Sequence, residues 1–247
     1  MPTASVILIT GAARRIGAGI ARELHARGSD VVIHHRQSAA AAQALCAELN
    51  AIRSDSACCV AADLASAEGC AAAIDAAIGW KHRLDGLVNN ASTFVRSSLG
   101  AVDEAHWAHL LDGNLKAAFF CSQRAAAALR ESRGAIVNLC DARTERPLPG
   151  FSVYTAAKAG IVSLTRSLAL ELAPQVRVNA VSPGSLTWPE DDTFNEAERA
   201  RIEAAIPLGR IGDGSDIGRV VHFLLREAEY VTGQVIAVDG GAGLASP

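Results

Sequence analysis

Short, unbroken apolar runs alternate with longer stretches of helical period along this chain. The runs Val6 to Ile9, Val31 to His35, Ala57 to Ala61, Leu84 to Val88, Ala135 to Leu139, Val176 to Val181 and Gln234 to Val238 predict strands covered on both faces. Between them apolar positions recur at helical spacing. They run through Ile20 and Leu24 to Arg27, then over Ser38 to Arg53, Ser66 to Trp80, Asp103 to Leu111, Leu115 to Arg130, Ser152 to Leu172 and Ser215 to Leu225. Gly28 is placed to close the first helix, and Ser66 to cap the third. No repeat, low-complexity tract or linker breaks the rhythm. Strict alternation with right-handed crossovers predicts a single α/β domain, a doubly wound parallel sheet of about seven strands flanked by helices. Ligands of such a sheet bind at the carboxyl ends of its strands. One stretch departs from the rhythm. Ser185 to Arg210 is long and polar, carries Trp188, and has room for a short helix from Glu196 to Ala205. An excursion of that kind is expected to cover a site.

The residues delivered at those carboxyl ends are the candidates for chemistry. The first strand runs into Thr10-Gly-Ala-Ala-Arg-Arg-Ile-Gly17. Gly11 and Gly17 allow close backbone approach to a pyrophosphate, and Arg14, Arg15 and Ile16 lead into a helix N-terminus that favours an anion. The second strand ends in His35-Arg36-Gln37-Ser38, without an acid. An acid there bonds the ribose 2′-OH of NAD, whereas an arginine accommodates the 2′-phosphate of NADP, so Arg36 with Ser38 points to NADP(H). Asp63 and Leu64 end the third strand; Asn90, Ala91 and Ser92 follow the fourth; Pro183, Gly184 and Ser185 follow the sixth. Their shared position is a stronger signal than any of them singly.

Composition narrows the possibilities. With 247 residues, half of them hydrophobic, the chain has ample material for a core. A formal net charge of −3 argues against an electrostatic nucleic-acid binder. The apolar stretches fall far short of a membrane span. The opening residues lack a basic segment followed by a cleavable apolar one and read as a first strand. Six cysteines without a CxxC, and seven scattered histidines, predict no metal site. Scattered thiols suit the reducing cytoplasm, most of them as small core residues, and Cys140 stands out because it adjoins Asp141.

Tyr154 and Lys158 stand four apart at the start of a predicted helix, which sends both side chains from one face. A lysine ammonium that close is expected to favour the phenolate and lower the tyrosine pKa from its usual value of about 10, enabling proton exchange near neutrality.

Taken together, TGxxxxxG (Thr10 to Gly17), NNAS (Asn89 to Ser92), YxxxK (Tyr154 to Lys158), SPG after the sixth strand and the terminal VDGG resemble the short-chain dehydrogenase/reductase family over nearly the whole chain. That resemblance implies a Rossmann-type fold and a homotetramer. It implies Tyr154 as proton donor, Lys158 as the group that holds the nicotinamide ribose, and Asn114 as the end of a proton relay through water. Two positions depart from the family pattern. Arg15 stands where most members have glycine, and Asp141 where they have serine. A serine hydroxyl donates to a ketone oxygen, whereas an ionised aspartate only accepts and repels the charge developing there. Asp141 instead suits a substrate with N–H donors, or a C=N bond whose nitrogen ends up protonated.

Both departures, with Phe94 just after NNAS, resemble the pteridine reductases, which reduce dihydropterins and often folates with NADPH. That resemblance implies Phe94 stacking on the pterin, Arg15 touching both pyrophosphate and pterin, and Asp141 assisting Tyr154; Ser92 joins them in the substrate set, and Trp188 is placed to cover the pocket. The expectation is thus an NADPH-dependent pteridine reductase. The rivals are a reductase of 3-oxoacyl thioesters or other ketones, and a non-catalytic NADP-binding sensor, against which the retained Asn114, Tyr154 and Lys158 count.

Overall fold

The computed structural model of the chain describes residues 4–188 and 195–244. Strands β1 (Val6–Ile9), β2 (Asp30–His35), β3 (Ala57–Ala61), β4 (Gly86–Asn89), β5 (Ala135–Leu139), β6 (Arg177–Pro183) and β7 (Val235–Val238) form one sheet in the order β3-β2-β1-β4-β5-β6-β7. Every pairing is parallel. The helices between them are α1 (Arg15–Ala26), α2 (Ala39–Ile52), α3 (Ala67–Lys81), α4 (Glu104–Leu111), α5 (Ala117–Ser132), α6 (Ser152–Glu171), α7 (Glu196–Ala204) and α8 (Gly214–Arg226). The architecture is the Rossmann-type domain that the apolar rhythm predicts, and each predicted strand and helix has its counterpart with edges moved by a few residues. No helix among the described residues is long and apolar enough to cross a membrane.

Alternation along the strands divides the core in two. Ile7 and Ile9 of β1, with Val31 and Ile33 of β2, face α1, α2 and α8, while Val6, Leu8 and Val32 face the layer built on α3, α5 and α6. A pair of glycines brings α1 and α8 into close contact: a Cβ on Gly19 would lie 2.5 Å from Gly214 Cα. Helix ends follow local chemistry. Ser66 caps α3 by accepting from the Gly69 N–H, and Asp213 caps α8 in a reciprocal capping box with Asp216.

The strand order reverses between β1 and β4, and that switch point opens the crevice in which the candidate residues meet. Two further features organise this side of the sheet. Asp112–Lys116, between α4 and α5, is a π-helical turn and carries Asn114. The sulfurs of Cys46 on α2 and Cys59 on β3 lie about 2.5 Å apart; thirteen residues separate them in sequence, and only the packing of α2 on β3 brings them together.

Candidate active site

The glycine turn between β1 and α1 is fixed by hydrogen bonds to the ends of two other strands, β4 and β2. The Thr10 hydroxyl accepts from the N–H groups of Asn90 and Ala91, each at 2.9 Å. Asn90 Nδ2 donates to the carbonyls of Thr10 and Gly11 at 2.8 and 3.1 Å. Gly11 N–H donates to His34 Nδ1 at 3.0 Å, so His34 must carry its proton on Nε2, 3.2 Å from the Ala62 carbonyl. Burial pushes the His34 pKa down to about 4, which keeps the ring neutral in this bridging role. Gly17 is required by proximity: a Cβ there would lie 2.5 Å from the Gly11 carbonyl oxygen.

Arg15 adopts φ +50°, the left-handed region in which an L side chain is strained by about 1 kcal/mol or more. A glycine at that position fits without strain, which gives the family's usual residue a backbone reason. Arg15 instead spends its side chain on the far wall, where Nη2 donates to the Thr187 carbonyl at 2.8 Å. The first turn of α1 has no side-chain cap and no acid, so its N–H groups are open to an anion.

Two cavities form one continuous groove, since Arg15, Ile16, Asn90 and Ser92 line both. The first, about 410 Å³, is lined by Gly11, Arg14, Gly17, Arg36, Asp63, Leu64 and Ala91. Arg36 and Asp63 lie 3.9 Å apart at its exposed end. The second, about 350 Å³, is lined by Phe94, Asp141, Tyr154, Lys158, Pro183, Gly184, Ser185 and Trp188. The candidate set is therefore brought together, with four exceptions. Asn114 is buried behind the wall. Its Oδ1 accepts from the Ser92 hydroxyl at 2.7 Å, and its Nδ2 donates to the carbonyls of Thr93 and Leu110 at 3.0 and 2.8 Å. His35, Gln37 and Ser38 also lie outside the lining. Side chains alternate along β2, so it is His34 that enters the wall, while His35 is buried with Nδ1 lacking a partner. Thr10 and His34 are the positioning residues that sequence reasoning overlooked; their strand-end positions were the available signal.

At the centre, Tyr154 Oη donates to Asp141 Oδ2 at 2.6 Å. The other oxygen of Asp141 accepts the Arg143 N–H at 2.8 Å. Lys158, one turn further along α6, is buried and donates to the Leu139 carbonyl at 2.9 Å. Burial lowers the lysine pKa, with the Asp141 charge opposing. The expectation of an acidified Tyr154 is corrected here. Its pKa lies well above the ordinary value because of burial first, then the charge of Asp141 and the hydrogen bond to it; the Ser92 hydroxyl pulls the other way. The Lys158 ammonium is turned toward Leu139 and sits 5.8 Å from the Tyr154 ring centre.

Phe94 joins an aromatic cluster, stacked on Phe151 at 4.6 Å between ring centres and edge-on to Tyr154 at 4.8 Å. Trp188 donates from its indole N–H to Glu203 of α7 at 3.2 Å, tying the segment after β6 to that helix; residues 189–194 of the segment lie outside the described residues. Cys140 is buried, its thiol pushed up to about 11 by desolvation, and so is no nucleophile near neutral pH.

Comparison with known proteins agrees with this geometry. The family profile described as Enoyl-(Acyl carrier protein) reductase matches residues 11–243. Pteridine reductase 1 of Leishmania tarentolae is 40% identical, covering 98% of each chain. The 3-oxoacyl-[acyl-carrier-protein] reductase FabG of Staphylococcus aureus is 38% identical over 95% of this chain and 96% of its own. The 3-oxoacyl-[acyl-carrier-protein] reductase of Synechocystis is 35% identical, covering 97% of each. With its parallel sheet, glycine turn and Tyr154–Lys158 pair, the chain belongs to the short-chain dehydrogenase/reductase family and is an oxidoreductase.

Proposed function

We propose that this reductase acts on pterins with NADPH. The reading rests on one contact above all, the Tyr154–Asp141 hydrogen bond. In it the group beside the tyrosine is an acceptor, unsuited to stabilise a ketone oxygen as negative charge builds on it. A dihydropterin presents amino and ring N–H donors to an acceptor, and its C=N nitrogen needs a proton as the neighbouring carbon is reduced.

The residues present fit a nicotinamide dinucleotide. Lys158 is buried with one carbonyl acceptor for its three donors, leaving two N–H groups for ribose hydroxyls. The uncapped α1 terminus suits a pyrophosphate, and Arg36 suits a 2′-phosphate. The bound nicotinamide supplies the hydride. Tyr154 Oη–H supplies the proton to the ring nitrogen, the Lys158 ammonium steadies the resulting phenolate, and Asp141 orients the phenol while accepting from the substrate's N–H groups. Phe94, at the edge of its aromatic cluster, offers a surface for the flat ring, Arg15 links that surface to the covering segment, and Trp188 closes over it. Asn114 acts by holding Ser92 and Thr93 in place, with the relay to solvent running from its turn. Assembly as a homotetramer and a cytoplasmic location belong to the same proposal.

The second reading, reduction of a 3-oxoacyl thioester, is favoured by the FabG relatives at similar identity. The deciding experiment follows NADPH oxidation with dihydrobiopterin, dihydrofolate and an acetoacetyl thioester, with NADH in parallel. Faster turnover of the pterins with NADPH is expected; turnover of the thioester alone establishes the ketone reductase instead. Tyr154→Phe should slow turnover by roughly 10²- to 10⁴-fold with NADPH binding retained, and unchanged turnover removes Tyr154 from the mechanism.

A further inference from the structure

Tyr154, Lys158, Ile161 and Thr165 follow one another at helical spacing and make a buried stripe along α6. Thr165 lies two turns beyond Lys158 and is fully buried, with a hydroxyl where an apolar side chain could pack. Its Oγ1 accepts from Asn138 Nδ2 at 2.9 Å and donates to the Ile161 carbonyl at 2.8 Å. Asn138 stands on β5 directly before Leu139, whose carbonyl holds Lys158. Asn138 Oδ1 accepts from Asn89 Nδ2 at 2.8 Å, the two residues being register partners on β5 and β4. Asn89 Nδ2 also donates to Ser122 Oγ on α5 at 3.0 Å. One chain of hydrogen bonds thus crosses the core from α5, through β4 and β5, to α6.

We propose that Asn138 and Thr165 are positioning residues for proton transfer: their bond fixes the rotation and height of α6 on β5, and with them the approach of Tyr154 to Asp141 and of Lys158 to Leu139. The proposal rests on the roles given above to Tyr154 and Lys158, and holds for a pterin and a ketone substrate alike.

The reason lies in direction. Around Ile161 the helix packs on Ala118, Cys140 and Ala180, and apolar contacts of that kind have no preferred angle. A hydrogen bond weakens steeply with misalignment. Lys158 and Thr165 meet neighbouring residues of β5 from points about 10 Å apart along the helix axis, so α6 is pinned twice and has no pivot. Every group in the chain has a partner, which lets a buried polar path specify one arrangement at little desolvation cost. A shift of about 1 Å at a reacting group can slow a reaction by about 10²-fold.

The test compares kcat per folded molecule in wild type, Thr165→Val, Thr165→Ser, Asn138→Ala and Ser122→Ala. The substrate is whichever of dihydrobiopterin and the acetoacetyl thioester the wild type reduces. Valine keeps the branched shape of Thr165 and removes the hydroxyl; serine keeps the hydroxyl. Ser122→Ala removes an equally buried hydroxyl at the far end of the chain, away from α6. Thr165→Val should lower kcat by about tenfold or more, with KM for NADPH little changed because the phosphate end of the groove is built on the ends of β1 and β2. Thr165→Ser should recover most of the rate, and Ser122→Ala should keep it. Asn138→Ala carries the test if Thr165→Val fails to fold. In it Asn89 keeps Ser122 and Ala118 as acceptors and Thr165 keeps the Ile161 carbonyl, so no amide is left unpaired. Its kcat should fall as in Thr165→Val. Wild-type kcat in Thr165→Val and Asn138→Ala overturns the proposal. So does equal slowing in Ser122→Ala, or no recovery in Thr165→Ser, since either marks general damage to the core. Reduction of the thioester alone overturns the pterin reading and leaves the positioning role standing, whereas wild-type turnover by Tyr154→Phe removes the basis of both.

Discussion

Tyr154 and Asp141 share a proton across 2.6 Å, with the phenol as donor and the carboxylate as acceptor. The consequence is electrostatic. Forming the phenolate puts a second negative charge beside Asp141 in a buried place, so the Tyr154 proton is held more tightly than in water. A cation is what offsets this, and Lys158 lies on the same helix face to supply one.

The tyrosine titration follows directly. The chain has two tyrosines, and the difference in phenolate absorbance between wild type and Tyr154→Phe isolates Tyr154. Its phenolate should form above the ordinary tyrosine range, near pH 10. In Asp141→Asn, with the neighbouring charge removed, it should form at lower pH than in the wild type. An identical titration in both proteins would mean that burial alone sets the value.

Arg15 offers a backbone test. Arg15→Ala and Arg15→Gly both lose the bond to the Thr187 carbonyl, but only glycine relieves the positive φ. The glycine variant should be more stable than the alanine variant by about 1 kcal/mol in denaturant unfolding. Both should raise KM for the pterin, because the tie between turn and covering segment is gone. Equal stability of the two variants would show that the left-handed conformation is not retained after substitution.

The strand ends were legible because buried parallel strands are short apolar runs and the next polar residues fall on the crevice. Gly11, Arg36, Asp63 and Asn90 line the groove for that reason. Departures at Arg15 and Asp141 were legible as chemistry, though their contacts were not. Neither the reach of Arg15 to Thr187 nor the turn of Lys158 toward Leu139 has a local sequence signal. The Tyr154 pKa was misjudged on the same account: a helix spacing of four shows that a lysine is near, not which acceptor its ammonium faces. His34 and His35 are neighbours whose roles separate only through strand alternation, and the approach of Cys46 to Cys59 exists only in three dimensions.

Asn114 is expected to be a keystone of the wall. Its amide bonds Ser92, Thr93 and Leu110 from a position 1% exposed. Asn114→Ala leaves buried carbonyls without donors, and urea unfolding should show a loss of about 2–3 kcal/mol. Turnover should fall as well, since Ser92 loses its anchor. A loss below about 0.5 kcal/mol would mean that water replaces the amide.

His34 makes the stability of the turn depend on pH, with a sign that can be worked out. Its pKa is about 4 in the folded protein against 6.5 for a free histidine. Between those values the unfolded chain binds a proton that the native protein does not, so stability rises with pH across the window. Acidification from pH 6.5 to pH 4 should therefore cost about 3 kcal/mol through this residue. Protonation there also removes the lone pair that accepts the Gly11 N–H, so the glycine turn loses its tie to β2 at the same time. In His34→Asn the side-chain oxygen can still accept from Gly11 but nothing titrates. Unfolding free energies of both proteins, measured from pH 7 to pH 4, carry the same contributions from carboxylates and from the other histidines. Their difference isolates His34: the variant's curve should be flatter by about 3 kcal/mol over that interval, and parallel curves would show that His34 is already free to protonate in the folded protein.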